Sequence, residues 1–227
     1  MKILVIDIGG TNVKVFARGL NAPVKIESGR HMTPRKMVNA VLKIMADTNY
    51  SGISLGYPGP VKYGKPFQEP HNLAHGWVGF DFEKAFGKRV KIINDAAMQA
   101  LGSYTGGCML FLGLGTGLGS TLIVEGVVAP LELAHLPYKQ GHTFEYFVGV
   151  PALKRMGLKK WQQTVREVIT ILQSALQAEY VVLGGGNAKQ LIPLPNENRL
   201  CKHWEAAYVG GCRLWQSPSE LSSAKAA

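Results

Sequence analysis

A glycine-rich segment between two apolar runs is the feature that most constrains how this chain can fold. Residues 109–112 and 122–124 are apolar, and glycine occupies positions 113, 115, 117 and 119 between them. The pattern predicts two strands joined by a glycine turn, whose exposed N–H groups can hold an anion such as a phosphate. The spacing matches neither the dinucleotide-binding G-x-G-x-x-G sequence nor a G-x-x-x-x-G-K-[ST] loop. A tight turn without a ligand fits the same residues, so both interpretations stay open.

A similar pattern stands at the start of the chain. Residues 2–8 and 13–16 are rich in β-forming residues and flank the polar tip Gly9-Gly10-Thr11, with Lys14 close behind it. Asp7 would end a buried strand, where an unpaired carboxylate is costly, so we expect it to face backbone donors or a hydrated metal ion. Asp7 and Thr11 equally suit a purely structural turn. The likeness of the two glycine turns suggests a duplicated lobe.

The pair Asn94-Asp95 lies between a predicted strand at 90–93 and an Ala-rich helix. Asn or Asp before such a helix is typical of an N-cap. A carboxylate at the carboxyl end of a strand also opens into the crevice where α/β sheets bind ligands, and this position suits a general base.

Glu132, His135 and Glu145 follow the central glycine turn. A Glu-x-x-His pair can bind a metal on a helix, but Pro130 and Pro137 on either side favour a loop. In a loop the pair can present an acceptor and a donor to hydroxyl groups, and a structural His is the alternative.

Local patterns predict the remaining elements. A helix should begin at Thr33-Pro34, the longest helix should span 161–177, and a buried strand should span 180–183. We expect a last helix at 203–215, in which Gly210-Gly211 permits close packing, and a frayed end at 217–227. The strand at 180–183 runs into Gly184, Gly185, Gly186 and Asn187, where backbone can approach a flat ligand closely.

Composition excludes several classes of protein. The chain has 227 residues, of which 46% are hydrophobic, and can bury a core; we expect two lobes. It has no apolar run of roughly 18 to 20 residues, and Asp7 comes too early for a signal peptide, so we expect a cytoplasmic protein with no membrane partner.

The three cysteines, Cys108, Cys201 and Cys212, indicate neither a disulfide framework nor a zinc site.

The chain is strongly basic, with a formal net charge of +10 and a pI of about 9.6. Such a charge attracts polyanions, among them nucleic acids, anionic lipids and phosphate chains. No helix-turn-helix, zinc finger or aromatic RNA-binding pattern accompanies the basic residues, so we expect no sequence-specific nucleic-acid partner. A solvated basic surface is the plainer interpretation of any one basic group.

Taken together, seven segments resemble the ROK family of sugar kinases and sugar-responsive repressors, and within it the bacterial polyphosphate glucokinases. They are DIGGTNVK at 7–14, GYPGPV at 56–61, PHNL with GW at 70–77, NDA at 94–96, GLGTGLG at 113–119, ELAH at 132–135 and LGGGNAK at 183–189. The resemblance implies an α/β, actin/hexokinase-like (ribonuclease H-like) fold with a ligand cleft between two lobes. We expect lobes at 1–94 and 95–216, a last helix that can pack back on the first lobe, and a flexible tail at 217–227.

The resemblance also implies roles for particular residues. A first phosphate loop would consist of Asp7, Gly9, Gly10, Thr11 and Lys14, and a second of Gly115, Thr116 and Gly117. Asp95 would be the general base and Asp7 would hold Mg²⁺ through water. The sugar would contact Asn72, Asn94, Asp95, Glu132, His135 and Glu145, and the nucleotide base would lie near Gly184, Gly185, Gly186 and Asn187.

The sequence departs from the family pattern in three places. Typical members carry a Cys-rich zinc motif after the His, whereas LPYKQGHTFEYF at 136–147 has no cysteine, so zinc is not expected. The usual ELGH is ELAH, and Ala134 adds a methyl group beside the sugar. The segment after Gly184 soon reaches Pro193 and Pro195, which suggests a reduced base pocket. A reduced base pocket, together with the net charge of +10, favours polyphosphate over ATP.

We therefore expect a kinase that transfers a phosphoryl group from polyphosphate, ATP or both, with Mg²⁺, to the 6-hydroxyl of glucose or a related hexose. A non-catalytic ROK-type sugar sensor and a basic module that binds polyanions or nucleic acid are the alternatives. Relatives suggest a homodimer.

Overall fold

The computed structural model describes residues 1–194 and 198–222. The strands are β1 (Ile3–Ile8), β2 (Asn12–Phe16), β3 (Val24–Glu27), β4 (Gly52–Tyr57), β5 (Val61–Lys62), β6 (Lys65–Pro66), β7 (Val90–Asn94), β8 (Cys108–Leu114), β9 (Leu118–Val124), β10 (Val127–Leu131), β11 (Tyr180–Gly184) and β12 (Arg199–Leu200). The helices are α1 (Pro34–Ile44), α2 (Phe82–Phe86), α3 (Asp95–Ser103), α4 (Phe144–Val148), α5 (Val150–Met156), α6 (Leu158–Ala175), α7 (His203–Arg213) and α8 (Pro218–Ser222). Short 3₁₀ turns occur at Leu133–His135 and Ala188–Leu191.

Two five-stranded sheets share one topology. The first has the order β3-β2-β1-β4-β7 and the second β10-β9-β8-β11-β12. In each, three consecutive strands pair antiparallel and two later strands add in parallel to the free side of the first. Both predicted hairpins, each made of two strands joined by a glycine turn, are confirmed. The repeated strand order agrees with a duplicated lobe.

One amphipathic helix covers each sheet on its outer side. Thr33 caps α1 by accepting a hydrogen bond from the Lys36 N–H, Pro34 occupies its first turn as predicted, and Met37, Val38 and Val41 are buried in the core of the first sheet. In the second sheet, Trp161, Val165, Val168, Ile169 and Leu172 of α6 join the core, which confirms the longest predicted helix. Apolar residues at helical spacing therefore supply both cores.

Glycines allow α3 and α7 to pack backbone against backbone. A Cβ at Gly102 would overlap the Ala206 carbonyl oxygen, and one at Gly210 would overlap the Met98 carbonyl oxygen. Gly211 packs against the Val5 side chain, so α7 also contacts the first sheet. The close packing expected at Gly210-Gly211 is confirmed.

The end of the chain is more ordered than expected. Pro218–Ser222 form α8, Leu221 is buried, and Gly126 lies against the Pro218 backbone. The fraying predicted from 217 onward is wrong for this helix, because Leu221 packs into the core beside Tyr104 and Ile123. The expectation for 223–227 lies outside the described residues.

Cys108, Cys201 and Cys212 are free and half-buried. Within residues 1–194 and 198–222, no helix has the length and apolar character needed to cross a bilayer.

Candidate active site

Asp7 ends β1 in a nearly closed environment. Its residue is 5% exposed, and its Oδ2 lies 3.4 Å from the Nζ of Lys14, the residue directly opposite on β2. Burial raises the pKa of the Asp7 carboxyl, and the neighbouring ammonium partly offsets the shift. We expected backbone donors or a hydrated metal beside this carboxylate, and the protein partner that the structure provides is Lys14.

The first glycine turn is held from outside the hairpin. The Gly9 N–H donates to the Asn12 carbonyl at 3.0 Å, while the Ser28 hydroxyl donates to the Gly9 carbonyl at 2.7 Å. The Ser28 N–H donates to the Thr11 carbonyl at 2.9 Å. A Cβ at Gly10 would lie 3.0 Å from the Asn72 Cβ, so the predicted sugar residue Asn72 stands beside the turn. Ser28 was not predicted from the sequence. It lies far from the turn along the chain, and no local motif marks a contact between them.

The N-cap interpretation of Asn94 is confirmed. Its Oδ1 accepts the Ala97 N–H at 3.1 Å, and its amide donates to the Gly59 carbonyl at 3.2 Å. Asn94 thereby connects the start of α3 to the turn after β4. The cap role belongs to Asn94, so Asp95 remains available for another task.

Asp95 is half-buried at the first turn of α3, and its Oδ1 accepts the Ala96 N–H at 2.8 Å. Burial, and then the charge of Asp7, raise the pKa of Asp95 to about 7, although the amide hydrogen bonds and Lys14 act in the opposite direction. These effects require Asp7, Lys14 and Asp95 to lie in one cluster. A carboxyl group with a pKa near neutrality is suited to accepting a proton.

The second glycine turn is held by the start of α5. The Gly115 N–H donates to the Gly117 carbonyl at 3.2 Å, and the Val150 N–H is shared by the Gly115 and Thr116 carbonyls at 3.3 and 3.2 Å. Neither Gly115 nor Gly117 has a positive φ. Gly117 is required instead by close approach, because a Cβ there would overlap the Glu145 carboxylate.

Three consecutive residues of β9 position the remaining predicted sugar residues. The Leu118 N–H donates to Glu145 Oε2 at 3.2 Å. A Cβ at Gly119 would lie 3.1 Å from the Cβ of Ala96, next to Asp95. The buried Ser120 hydroxyl donates to the Leu131 carbonyl at 2.8 Å and accepts the Leu133 N–H at 3.1 Å, on either side of Glu132. Sequence reasoning missed Ser120, which no motif marks.

Glu132 and His135 stand at the surface. The His135 Nε2 lies 3.7 Å from Glu132 Oε2, with side chains 70% and 59% exposed, respectively. The pair lies on a 3₁₀ turn within a loop, as Pro130 and Pro137 predicted. No group of three or more His, Cys, Asp or Glu side chains in the described ranges is arranged to hold a metal.

A cavity of about 200 Å³ joins the first hairpin to the glycine run after β11. Its lining includes Asp7, Lys14, Gly184, Gly185, Gly186, Lys189 and Trp204. Gly185 has a φ of +82°, and the Asn187 N–H donates to the Leu114 carbonyl at 3.1 Å, next to the second glycine turn. The predicted base region thus lines one cavity with Asp7 and Lys14 of the first hairpin. Sequence reasoning missed Lys189 and Trp204 as cavity residues.

The two sheets of like topology, each with a glycine turn after its first strand, define an actin/hexokinase-like fold of the kind found in ROK sugar kinases. Residues 3–130 match the family model described as the ROK family, and the chain belongs to that family.

Three relatives indicate the range of proteins that this chain resembles. It is 25% identical over 218 residues to the polyphosphate glucokinase of Mycobacterium tuberculosis, a match that covers 86% of this chain and 82% of the relative. Its fold is similar to that of an inorganic polyphosphate/ATP-glucomannokinase from Arthrobacter sp. strain KM, with a TM-score of 0.75, 24% identity and 98% of both chains covered. It is also similar to a ROK family transcriptional regulator, a homolog of the E. coli MLC protein, with a TM-score of 0.74, 16% identity, and 98% of this chain and 78% of that chain covered.

Proposed function

We propose that this protein is a sugar kinase that transfers a phosphoryl group from polyphosphate, ATP or both to the 6-hydroxyl of glucose or a related hexose. The observation that carries the proposal is the Asp95 carboxyl, whose pKa is raised to about 7 beside Asp7 and Lys14. The polyphosphate glucokinase of M. tuberculosis supports the choice of donor and sugar.

In this proposal the ionised Asp95 accepts the proton of the sugar 6-hydroxyl. The hydroxyl oxygen forms a bond to the terminal phosphorus of the donor, and the bond from that phosphorus to its bridging oxygen breaks. The electron pair leaves with the shortened donor. Mg²⁺, when bound, neutralises charge on the donor phosphates, and Asp7 is the residue that would hold it through water.

The remaining residues bind and position the two substrates. We assign the turns at 9–11 and 115–117, together with Lys14, to the donor phosphates. The Gly9 and Gly115 N–H groups already donate within their turns, so the amides of Gly10, Thr11, Thr116 and Gly117 are the ones assigned to stabilise developing negative charge. We assign Asn72, Asn94, Glu132, His135 and Glu145 to the sugar hydroxyls. Asn94 and Glu145 already hold backbone groups in the structure, so each would offer the sugar its remaining hydrogen-bonding capacity.

The test is formation of sugar 6-phosphate by the purified protein from glucose and Mg²⁺, with polyphosphate and ATP compared as donors. Activity should rise with pH through about 7, because Asp95 must lose its proton to act as a base. Asp95→Asn should lower kcat by about 10²- to 10⁴-fold and leave glucose binding intact, since general-base catalysis contributes about that much.

Asp47→Asn, which removes an exposed carboxylate elsewhere, is the matched control and should retain full turnover. Unchanged turnover in Asp95→Asn would remove Asp95 from the mechanism. Glucose binding by calorimetry without product from any donor would instead favour a non-catalytic sugar sensor.

A further inference from the structure

Three charged residues form a row across the first sheet. Asp7 on β1 is directly opposite Lys14 on β2, and Lys14 is directly opposite Lys25 on β3. Directly opposite residues project from the same face, and adjacent strands lie about 5 Å apart. Asp7 is 5% exposed, the Lys14 side chain is 34% exposed, and Lys25 is exposed. The row therefore leads from the buried end of the candidate active site to solvent.

The outer pair of this row is unfavourable for folding. Like charges directly opposite each other on neighbouring strands repel. The positive charge of Lys14 is compensated by the Asp7 carboxylate. Among the residues that the structure describes, no carboxylate lies within ion-pair distance of Lys25. The nearest acid on this face of β3 is Glu27, which is opposite Asn12 rather than either lysine. An anionic ligand would relieve the repulsion between the two lysines.

The inner two residues of the row, Asp7 and Lys14, line the cavity described above. Lys14 and Lys189 both line that cavity, together with Asp7 and Gly184–Gly186. Phosphates inside it would meet Lys14 and Lys189. A chain of further phosphates continuing past Lys14 over the sheet would reach Lys25, whereas the three phosphates of ATP end in a nucleoside.

We propose that Lys25 forms an outlying phosphate subsite, which binds the part of a long inorganic polyphosphate chain that extends beyond the cavity. Lys14 and Lys25 then form a cationic track along the first sheet. This proposal rests on the kinase function proposed above and names the donor for which the row is suited.

The experiment compares Lys25→Gln with Lys43→Gln, which removes the same charge from an exposed position on α1. Residues of α1 pack with Ile6, Ile8, Val13 and Val15, on the sheet face opposite to the row, so Lys43 cannot contact it. KM and kcat are measured for long-chain polyphosphate, tripolyphosphate and ATP, and thermal unfolding checks that each variant is folded. Lys25→Gln should raise KM for long-chain polyphosphate by about three- to fivefold, as the loss of one exposed ionic contact predicts, with kcat and both short donors unchanged.

An unchanged KM for long-chain polyphosphate in Lys25→Gln would overturn the proposal, as would an equal rise with ATP or in Lys43→Gln. If the wild-type protein makes no sugar phosphate from any donor, the kinase function itself fails. The track is then tested by titrating long-chain polyphosphate onto the protein in a calorimeter. Weaker binding to Lys25→Gln than to Lys43→Gln supports the track, and equal binding overturns it.

Discussion

At the scale of single residues, the site depends on two carboxylates that share one cation. Asp7 and Asp95 interact with each other and with Lys14, and both have a raised pKa because the surrounding protein displaces water from them. Lys14 cannot fully compensate two negative charges. The arrangement therefore leaves one carboxyl, Asp95, close to its protonation midpoint at neutral pH, which is where a base for an alcohol proton is most useful.

The same raised pKa predicts a cost in stability. Asp95 binds a proton more tightly in the folded protein, with a pKa of about 7, than in the unfolded chain, with 3.8. The folded state holds more protons between these values, so the free energy of unfolding falls as pH rises through this window. Asp95→Asn keeps an oxygen for the Ala96 N–H and carries no charge. It should be more stable than wild type above pH 7, on the order of 4 kcal/mol, and the gain should shrink toward pH 4.

Urea unfolding of both proteins at several pH values measures this difference. Asp47→Asn is again the control, and its difference from wild type should stay the same across the range. A stability gain in Asp95→Asn that does not vary with pH would contradict the assignment of a raised pKa to Asp95.

At the scale of elements, the crossing of α3 and α7 links the two sheets. The backbones touch because Gly102 and Gly210 have no side chains, and α7 is also tied to the first sheet through Ser54. The Ser54 hydroxyl donates to the Gly211 carbonyl at 2.6 Å, and the Trp215 indole N–H donates to the Ser54 oxygen at 2.9 Å. Asp95 begins α3, so this crossing also determines where the proposed base stands.

Gly210→Ala should lower the free energy of unfolding by about 2 to 3 kcal/mol, because the new methyl group overlaps the Met98 carbonyl and the helices must separate. Val209→Ala is the control on the same helix, at a residue 36% exposed, and should change stability little. Denaturant titration measures both variants. Equal stability of Gly210→Ala and wild type would mean that the helices do not pack this closely.

The segment after His135 is held by aromatic rings where typical ROK proteins carry a zinc motif. The Tyr138 ring stacks on Phe144 with centroids 4.8 Å apart and meets Phe147 edge-on at 5.3 Å. Backbone hydrogen bonds from the Tyr138 N–H to the His142 carbonyl and from the Phe144 N–H to the Leu136 carbonyl close the segment. Ring packing and backbone hydrogen bonds therefore hold this segment together.

Removal of transition metals should consequently leave this segment intact. After treatment with a chelator and return to Mg²⁺, we expect the same Tm and the same activity as before, because aromatic packing holds the loop. Phe144→Ala should lower the free energy of unfolding by about 3 kcal/mol, and Leu136→Ala, at a residue 45% exposed, should have little effect. A fall in Tm after chelation that added zinc restores would show that a metal stabilises the loop.

At the scale of the whole molecule, two sheets of like topology line a shared cavity in a strongly basic protein. Each sheet contributes one glycine turn, and the cavity residues come from both sheets and from α7. The net charge of +10 attracts any polyanion that approaches the protein. Long-chain polyphosphate, which carries many phosphates, should be attracted more strongly than ATP, which carries three.

The KM for long-chain polyphosphate should therefore rise with salt more steeply than the KM for ATP. Between ionic strengths of about 0.01 and 0.15 M the Debye length falls from about 30 to 8 Å, so distant lysines and arginines cease to contribute. Steady-state kinetics in a series of KCl concentrations, with Mg²⁺ held constant, measures both dependences. Parallel dependences for the two donors would mean that the basic surface does not serve the donor.

The local sequence was sufficient to predict most elements and one residue's role. Apolar or β-rich runs on either side of a glycine turn predicted both hairpins, helical spacing predicted α1 and α6, and Asn94 before an Ala-rich run predicted the cap of α3. Each of these depends on residues that are neighbours along the chain, and their periodicity is visible without a structure.

Only the tertiary structure decided how these elements form a site. It paired Lys14 with Asp7 near Asp95, set Ser28 and Ser120 against loops, placed Trp204 and Lys189 in the cavity, and buried Leu221 of a segment that composition marked as a tail. These contacts join residues far apart in the chain, and a raised pKa depends on how much water the packed protein excludes. Composition and spacing carry no record of that exclusion, which arises only when the two sheets and α7 come together.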